Sequence, residues 1–232
     1  MNFEQSPENY LEHTQASWDE KIKAGWGKEK PPTPFLMDFI EKHRQEIGPM
    51  VLDLGCGPGR NVIGLAKEGF KVTGLDLSRT ALEETDGRLK ENQLEADLVE
   101  GASNHLPFND KSFDFVVSIG SIHHNRWSEI VKSFNEVNRV LTSRGYFLFQ
   151  GRSVNDNSAA RRALEDFGCT TVDLSGSKAG VVQHYFSKEE LLKLAEENDF
   201  EVIFEPKEII KPLEADPNLQ RARWWAVFRK TD

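Results

Sequence analysis

Short apolar runs alternate with amphipathic stretches through the middle of the chain, and the alternation predicts its elements. Met50-Val51-Leu52-Asp53-Leu54 reads as a buried strand, followed by a glycine-rich turn. Residues 60–68 read as a helix that Gly69 stops. Lys71 to Asp76 is a second strand, and 78–92 a Glu-rich helix with Ser78 as its N-cap. Leu94 to Glu100 is a weak third strand and Phe113 to Ser118 a fourth. Residues 126–141 gather Ile130, Phe134, Val137 and Leu141 on one helical face, and Gly145 to Phe149 is the fifth strand. Strands separated by helices of this length predict βαβ crossovers and a mostly parallel sheet covered on both faces.

The flanks read differently. The first 30 residues are polar and aromatic, with Tyr10, Trp18 and Trp26 spaced eight apart, and end at Lys30-Pro31-Pro32-Thr33-Pro34. Helical spacing of Phe35, Leu36, Phe39 and Ile40 follows. After Gly151 a polar, Gly/Ser-bearing stretch runs to residue 180. A helix from Ser187 to Asn198 opens with a Ser187/Glu190 capping box. Late strands near 200–210 and 221–229 are joined by a loop at 211–219, short enough to predict an antiparallel hairpin. The expectation is an α/β, doubly wound, mostly parallel seven-stranded sheet, built as one domain over 1–232. It divides into an N-terminal helical lid (1–34), a central half (35–151), a small inserted cap (152–186) and a C-terminal helix and hairpin (187–232).

Composition narrows the function classes. The 232 residues carry 38 acidic and 29 basic side chains, a net charge of −9, with 15 Phe and 5 Trp. That is a globular chain, and its acidity disfavours phosphate backbones, so no dedicated nucleic-acid role is expected. No apolar run reaches the roughly 20 residues of a membrane span, and residues 1–15 lack the features of a secretory signal. A cytoplasmic location is the expectation, with no membrane partner. Cys56 and Cys169 lie far apart and no histidine spacing suggests a ligand set, so no metal is expected.

The most informative stretch is Val51-Leu52-Asp53-Leu54-Gly55-Cys56-Gly57-Pro58-Gly59-Arg60-Asn61. Glycines in alternate positions between a strand and a helix allow a sharp turn and close backbone approach to a ligand. The loop delivers that ligand to a helix N-terminus, which favours anionic groups. A dinucleotide fingerprint wants its third glycine where Arg60 stands. Asp76, at the end of the second strand, is placed to accept both hydroxyls of a ribose.

VLDLGCGPGRN, then VTGLDLS, then LPFNDKSFDFVVS resemble the class I S-adenosylmethionine-dependent methyltransferases, in order from about residue 50 to 150. HYFSKEELLKLAEENDFEV resembles the C-terminal part of the small-molecule members. WDEKIKAG and PPTPFL are similar to the lid of tellurite-resistance and thiopurine-type enzymes. The resemblance implies a Rossmann-like fold, S-adenosyl-L-methionine as cofactor and a small-molecule acceptor. It implies that Gly55, Cys56 and Gly57 hold the methionine moiety, that Asp53 orients its amino group, and that Arg60 pairs with its carboxylate. Asp76 would bind ribose and Leu77 would pack on adenine. Many relatives carry an adenine-binding Asp where this chain has Ala102, which leaves the backbone at Ala102 and Ser103 for that edge. Trp18 would close over the cofactor, with Tyr10, His13 and Trp26 in the same lid.

Methyl transfer is an in-line displacement that needs alignment and exclusion of water, and a base only for a protonated acceptor. The end of the fourth strand, Ser118-Ile119-Gly120-Ser121-Ile122-His123-His124, opens at the edge where such sheets bind ligands. Ser118 and Ile119 are expected beside the cofactor, and His123 or His124 as the base. Gln150, Arg152, His184 and Tyr185 are expected near the acceptor. Three alternatives stand beside this reading. They are a non-catalytic module, an adenosylmethionine-binding protein of different chemistry, and an NAD-dependent oxidoreductase, which Arg60 at the third glycine position disfavours.

Overall fold

The computed structural model describes residues 7–27, 30–158, 161–163, 170–173 and 181–232. Helices α1 (Pro7–Lys23) and α2 (Pro34–His43) precede an alternating unit of β1 (Met50–Leu54), α3 (Arg60–Lys67), β2 (Lys71–Asp76), α4 (Arg79–Glu91) and β3 (Asp97–Glu100). Then come β4 (Phe113–Ile119), a 3-10 turn at Ile122–His124, α5 (Trp127–Val140) and β5 (Leu141–Ser153). The chain continues through β6 (Arg161–Ala163), β7 (Thr170–Asp173), β8 (Val182–Phe186), α6 (Lys188–Glu197), β9 (Phe200–Pro212) and β10 (Gln220–Lys230).

Strands β1 to β5 lie parallel in the order β3-β2-β1-β4-β5. Strand β10 runs antiparallel between β5 and β9, which completes the expected hairpin; these seven strands belong to a ten-stranded sheet that β8, β7 and β6 extend from β5. Its core follows from the two-residue period of a strand. Val51, Val117, Leu148 and Val227 pack with Leu36 and Phe39 on one face. Their neighbours Leu52, Val116, Phe147 and Phe228 pack with Phe134, Val137 and Leu191 on the other. Each central strand is therefore apolar on both sides, which is why these segments read as continuous hydrophobic runs.

Local chemistry fixes the helix starts. The Ser78 hydroxyl accepts the Ala81 N–H, and Ser187 and Glu190 form the capping box, as their spacing predicts. The cap differs from expectation. Where a polar irregular stretch was expected, β6, β7 and β8 form an antiparallel three-stranded sheet. Strand β4 ends opposite Gln150 of β5, and β8 takes up parallel pairing two residues further on, at Arg152. The apolar, aromatic run Val181 to Phe186 carried this strand signal. Trp224 locks the arrangement by donating its indole N–H to the Phe186 carbonyl at 2.9 Å. Cys169 lies outside the described residues.

Helix α1 docks through a contact the sequence pattern did not indicate. The Asp19 carboxylate accepts the Ser78 hydroxyl and the Thr80 N–H at 3.3 Å, so a residue of α1 helps to cap α4. An acceptor at a helix N-terminus contributes about 1 kcal/mol. Asp19→Ala is expected to lower stability by about that amount and to speed proteolysis within α1. Urea unfolding and limited proteolysis check this; unchanged values in both would mean that Asp19 contributes no docking.

Candidate functional site

The site begins with the turn after β1. Gly55 has φ 76°, and a Cβ there would lie 1.9 Å from Ser121 Oγ, so only glycine lets the loop touch the end of β4. Gly59, φ 77°, closes the turn as the N-cap of α3, and a Cβ there would lie 2.5 Å from Thr85. The N–H groups of Gly55 and Cys56 both donate to the Leu75 carbonyl, at 2.7 and 3.0 Å, which pins the loop to β2. From α4, Thr85 Oγ1 donates to the Gly57 carbonyl and Arg88 Nη1 to that of Pro58. These bonds turn the loop carbonyls toward α4. The Gly57 N–H points to Asp76 and donates to Oδ2 at 2.8 Å, while the Ser78 N–H donates to Oδ1 at 2.8 Å.

Above the loop lies a cleft of about 990 Å³, open solvent at its mouth included. It sits at the C-terminal edge of the parallel strands between β1 and β4, where the strand order reverses, the position at which open α/β sheets bind ligands. The glycine loop, Leu75–Ser78, Gly101–Ser103 and Ile119–Ser121 form its walls, closed by His124, Asn125 and the α1 side. Trp18 packs edge-on to Trp26, centroids 5.2 Å apart, and to His124 at 4.9 Å. Lys30 places its ammonium 4.7 Å from the Trp26 ring centre.

Buried charge shapes the floor. Asp53 is 1% exposed, and its Oδ2 has no hydrogen-bond partner among the described residues. Burial pushes its pKa up to about 7, against the pull of Arg60 and with a further push from Asp76. Burial also lowers Arg60, opposed by Asp53. Burial raises Asp76, offset by the N–H groups of Ser78 and Gly57. The Cys56 thiol is pushed well above its usual range by burial and then by both carboxylates, which makes it an inert packing group.

Of the residues expected at the site, Trp18, Gly55, Cys56, Gly57, Arg60, Asp76, Leu77, Ala102, Ser103, Ile119 and His124 line the cleft. Asp53, Ser118 and His123 do not. Strand alternation turns Ser118 to the face opposite Ile119, where it is fully buried. The 3-10 turn rotates successive residues by about 120°, so His124 meets Trp18 while His123 turns into the interior, its ring 4.1 Å from that of His124. His184 is also interior, bonded to Thr170 Oγ1 at 2.8 Å and packed on Trp127. The side chains of Tyr10 and His13 lie outside the described residues. Asn125 was missed by sequence reasoning. It lines the cleft, and its Nδ2 donates to the Ile122 carbonyl at 3.1 Å. Nothing in its sequence neighbourhood marks it, because the 3-10 turn alone brings it to Ser103, whose Oγ its Nδ2 approaches at 3.4 Å. Among the described residues no helix is long and apolar enough to cross a membrane, and no His/Cys/Asp/Glu group is placed to hold a metal ion.

Residues 51–145 match the family described as "Methyltransferase domain". An uncharacterized methyltransferase of Synechocystis is 38% identical over 100 residues, 43% of this chain and 45% of its own length. The ubiquinone biosynthesis O-methyltransferase of Escherichia coli is 31% identical over 134 residues, 53% of this chain and 56% of its own. The chain thus spans about half the length of these curated relatives. The crystal structure of Burkholderia thailandensis 1,6-didemethyltoxoflavin-N1-methyltransferase, with its namesake compound and S-adenosylhomocysteine bound, superposes with a TM-score of 0.73. It covers 98% of this chain and 92% of its own at 17% identity. Residues 51–145 are thus similar to a methyltransferase domain, and the sheet order with this superposition shows the fold of that solved methyltransferase.

Asp53 gives this site a pH signature. Its folded pKa of about 7 exceeds the ordinary 3.8, so the unfolded chain binds fewer protons between those values and stability falls as pH rises. The loss is absent below about pH 4 and complete above about pH 7, and is on the order of 4 kcal/mol. Asp53→Asn is expected to flatten this slope in urea unfolding measured from pH 4 to 8. A wild-type slope of opposite sign, or one unaltered in the variant, would contradict the assignment.

Proposed function

We propose that the protein transfers a methyl group from S-adenosylmethionine to a small-molecule acceptor by in-line displacement. The observation that carries this reading is the Asp76 carboxylate on the cleft wall, held by two backbone N–H groups. Each oxygen accepts one backbone bond, and a carboxylate has about four acceptor positions, so capacity remains for a ribose diol. When bound, the cofactor supplies an electrophilic methyl group on a sulfonium. The rest falls to the protein. Arg60 faces the carboxylate of the methionine moiety, and the buried Asp53 behind the wall stabilises its ammonium through the low-dielectric interior. Leu77 packs on adenine, and Asn125 offers its carbonyl oxygen near Ala102, where the usual carboxylate is missing.

Trp18 and Trp26 exclude water from the reacting end and present aromatic faces that suit a cation. Ile119, Gly120 and Ser121 set the distance between acceptor and methyl group. His124, on the cleft wall, is the candidate base for a protonated acceptor; His123 supports its ring by stacking. The small-molecule names of the E. coli and Burkholderia proteins, and the acidity of this chain, support a small acceptor over a nucleic acid. A cytoplasmic location is part of the same proposal.

Titration calorimetry with S-adenosylhomocysteine tests the cofactor assignment. Wild type is expected to bind one equivalent, and Asp76→Ala to bind at least tenfold more weakly, about 1.5–3 kcal/mol for a lost charged hydrogen bond. Absence of binding to wild type would refute the reading, and unchanged affinity in the variant would remove Asp76 from the site. Ligand binding is also expected to change the fluorescence of Trp18 and Trp26, and Trp18→Phe to reduce that change.

A further inference from the structure

Beyond the cofactor cleft, the sheet face that carries α2 becomes basic. Opposed residues of neighbouring strands share a face. In β10, Arg221, Arg223 and Trp225 alternate on one side; Trp225, 4.5 Å from Phe35, identifies it as the α2 side. Opposite them stand Lys211, Ile209 and Lys207 of β9, and Arg223 and Trp225 also face Arg152 and Gln150 of β5. Like charges directly across strands are destabilising, yet Arg221 faces Lys211 and Arg223 faces Arg152.

Among the described residues the compensation is incomplete. Arg152 is 5% exposed; one Nη donates to the Tyr185 hydroxyl at 2.9 Å and lies 3.6 Å from Asp156, while its Nε has no partner among the described residues. Asp156 is the carboxylate between Arg152 and Arg223, and it also accepts from Ser158 and the Ala222 N–H. Among the described residues two largely buried guanidiniums thus share one carboxylate, an arrangement that a further anion would favour. Burial and the Arg152 charge both lower the pKa of Arg223, opposed by Asp156.

This face meets the cleft at two points. Gly120 is on the cleft wall, and a Cβ there would lie 3.7 Å from Gln150 Oε1; Arg152 is two residues further along the same face, about 6.7 Å. Lys30, also on the cleft wall, is electrostatically coupled to Arg60 and Arg221. Arg152 and Arg223 do not line the cleft; the exposed Arg221 and the Gly120–Gln150 contact are the points from which a molecule of modest size could approach them. Arginine suits that task because its planar fork matches the oxygens of carboxylates and phosphates.

Resting on the methyltransferase reading above, we infer that the acceptor carries an oxyanion group, a carboxylate or a phosphate, that docks on Arg152, Arg221 and Arg223 while its reactive end lies beside Gly120. In a chain of net charge −9, this local reversal of sign selects anionic molecules.

The full-length protein is titrated calorimetrically at low ionic strength with inorganic phosphate and, separately, with benzoate, with and without S-adenosylhomocysteine. Saturable binding of either probe is expected, and which probe binds identifies the oxyanion. Arg152→Gln is expected to weaken it about tenfold and the exposed Arg221→Gln about threefold, with S-adenosylhomocysteine affinity unchanged. Arg221→Gln, checked for an unaltered unfolding midpoint, keeps the test decisive should Arg152→Gln fail to fold. Absence of saturable binding of both probes, or binding indifferent to the folded variants, overturns the inference. Failure of S-adenosylhomocysteine to bind instead refutes the methyltransferase reading, and the titrations without it still judge the anion site.

Discussion

The Asp76 carboxylate, held between the N–H groups of Gly57 and Ser78, is the constraint on which the site depends. One oxygen anchors the glycine loop and the other the start of α4, so the glycine loop, the start of α4 and the end of β2 are set relative to one another by a single side chain. Thr85 and Arg88 reinforce the joint from α4 by holding the loop carbonyls. Asp19 reinforces it from α1, which brings Trp18 over the cleft. A half-buried carboxylate is costly unless its hydrogen bonds are satisfied, and here the partners are the elements that must stay in register.

The second organising feature is the length of β5. It outruns β4, and the side of its edge that β4 leaves open is taken by β8. The sheet thereby extends past the cofactor cleft without exposing an unpaired edge at that point. The same extension carries Gln150 and Arg152 beyond the cleft, and pairing with β10 adds Arg223 beside them. Gln150, beside Gly120 of the cleft wall, and Arg152 of the basic face are thus two residues apart on one strand.

Charge is distributed accordingly. The chain is acidic overall, yet Arg60 and Lys30 line the cleft and Arg152 and Arg223 stand beyond it, balanced in part by Asp53, Asp76 and Asp156. Burial makes the interactions of Asp53, Arg152 and Asp156 stronger than they would be in water. It also makes incomplete pairing costly, which leaves room for ligand charges to complete it.

The sequence by itself determined the alternating core, the helix caps at Ser78 and Ser187, the closing hairpin and the loop from Gly55 to Gly59. Those features follow from period, capping chemistry and backbone sterics, all of which act over a few neighbouring residues. Only the tertiary structure decided which of two adjacent histidines faces the cleft, because a 3-10 turn rotates side chains by an amount that no local pattern encodes. The same holds for Asp19 on α4, Asn125 beside Ser103, and the union of Arg152 with Arg221 and Arg223. These residues are separated along the chain and become neighbours through strand register and helix docking. The cap strands belong with the second case: β8 was not predicted, and its place beside β5 depended on where β4 stops.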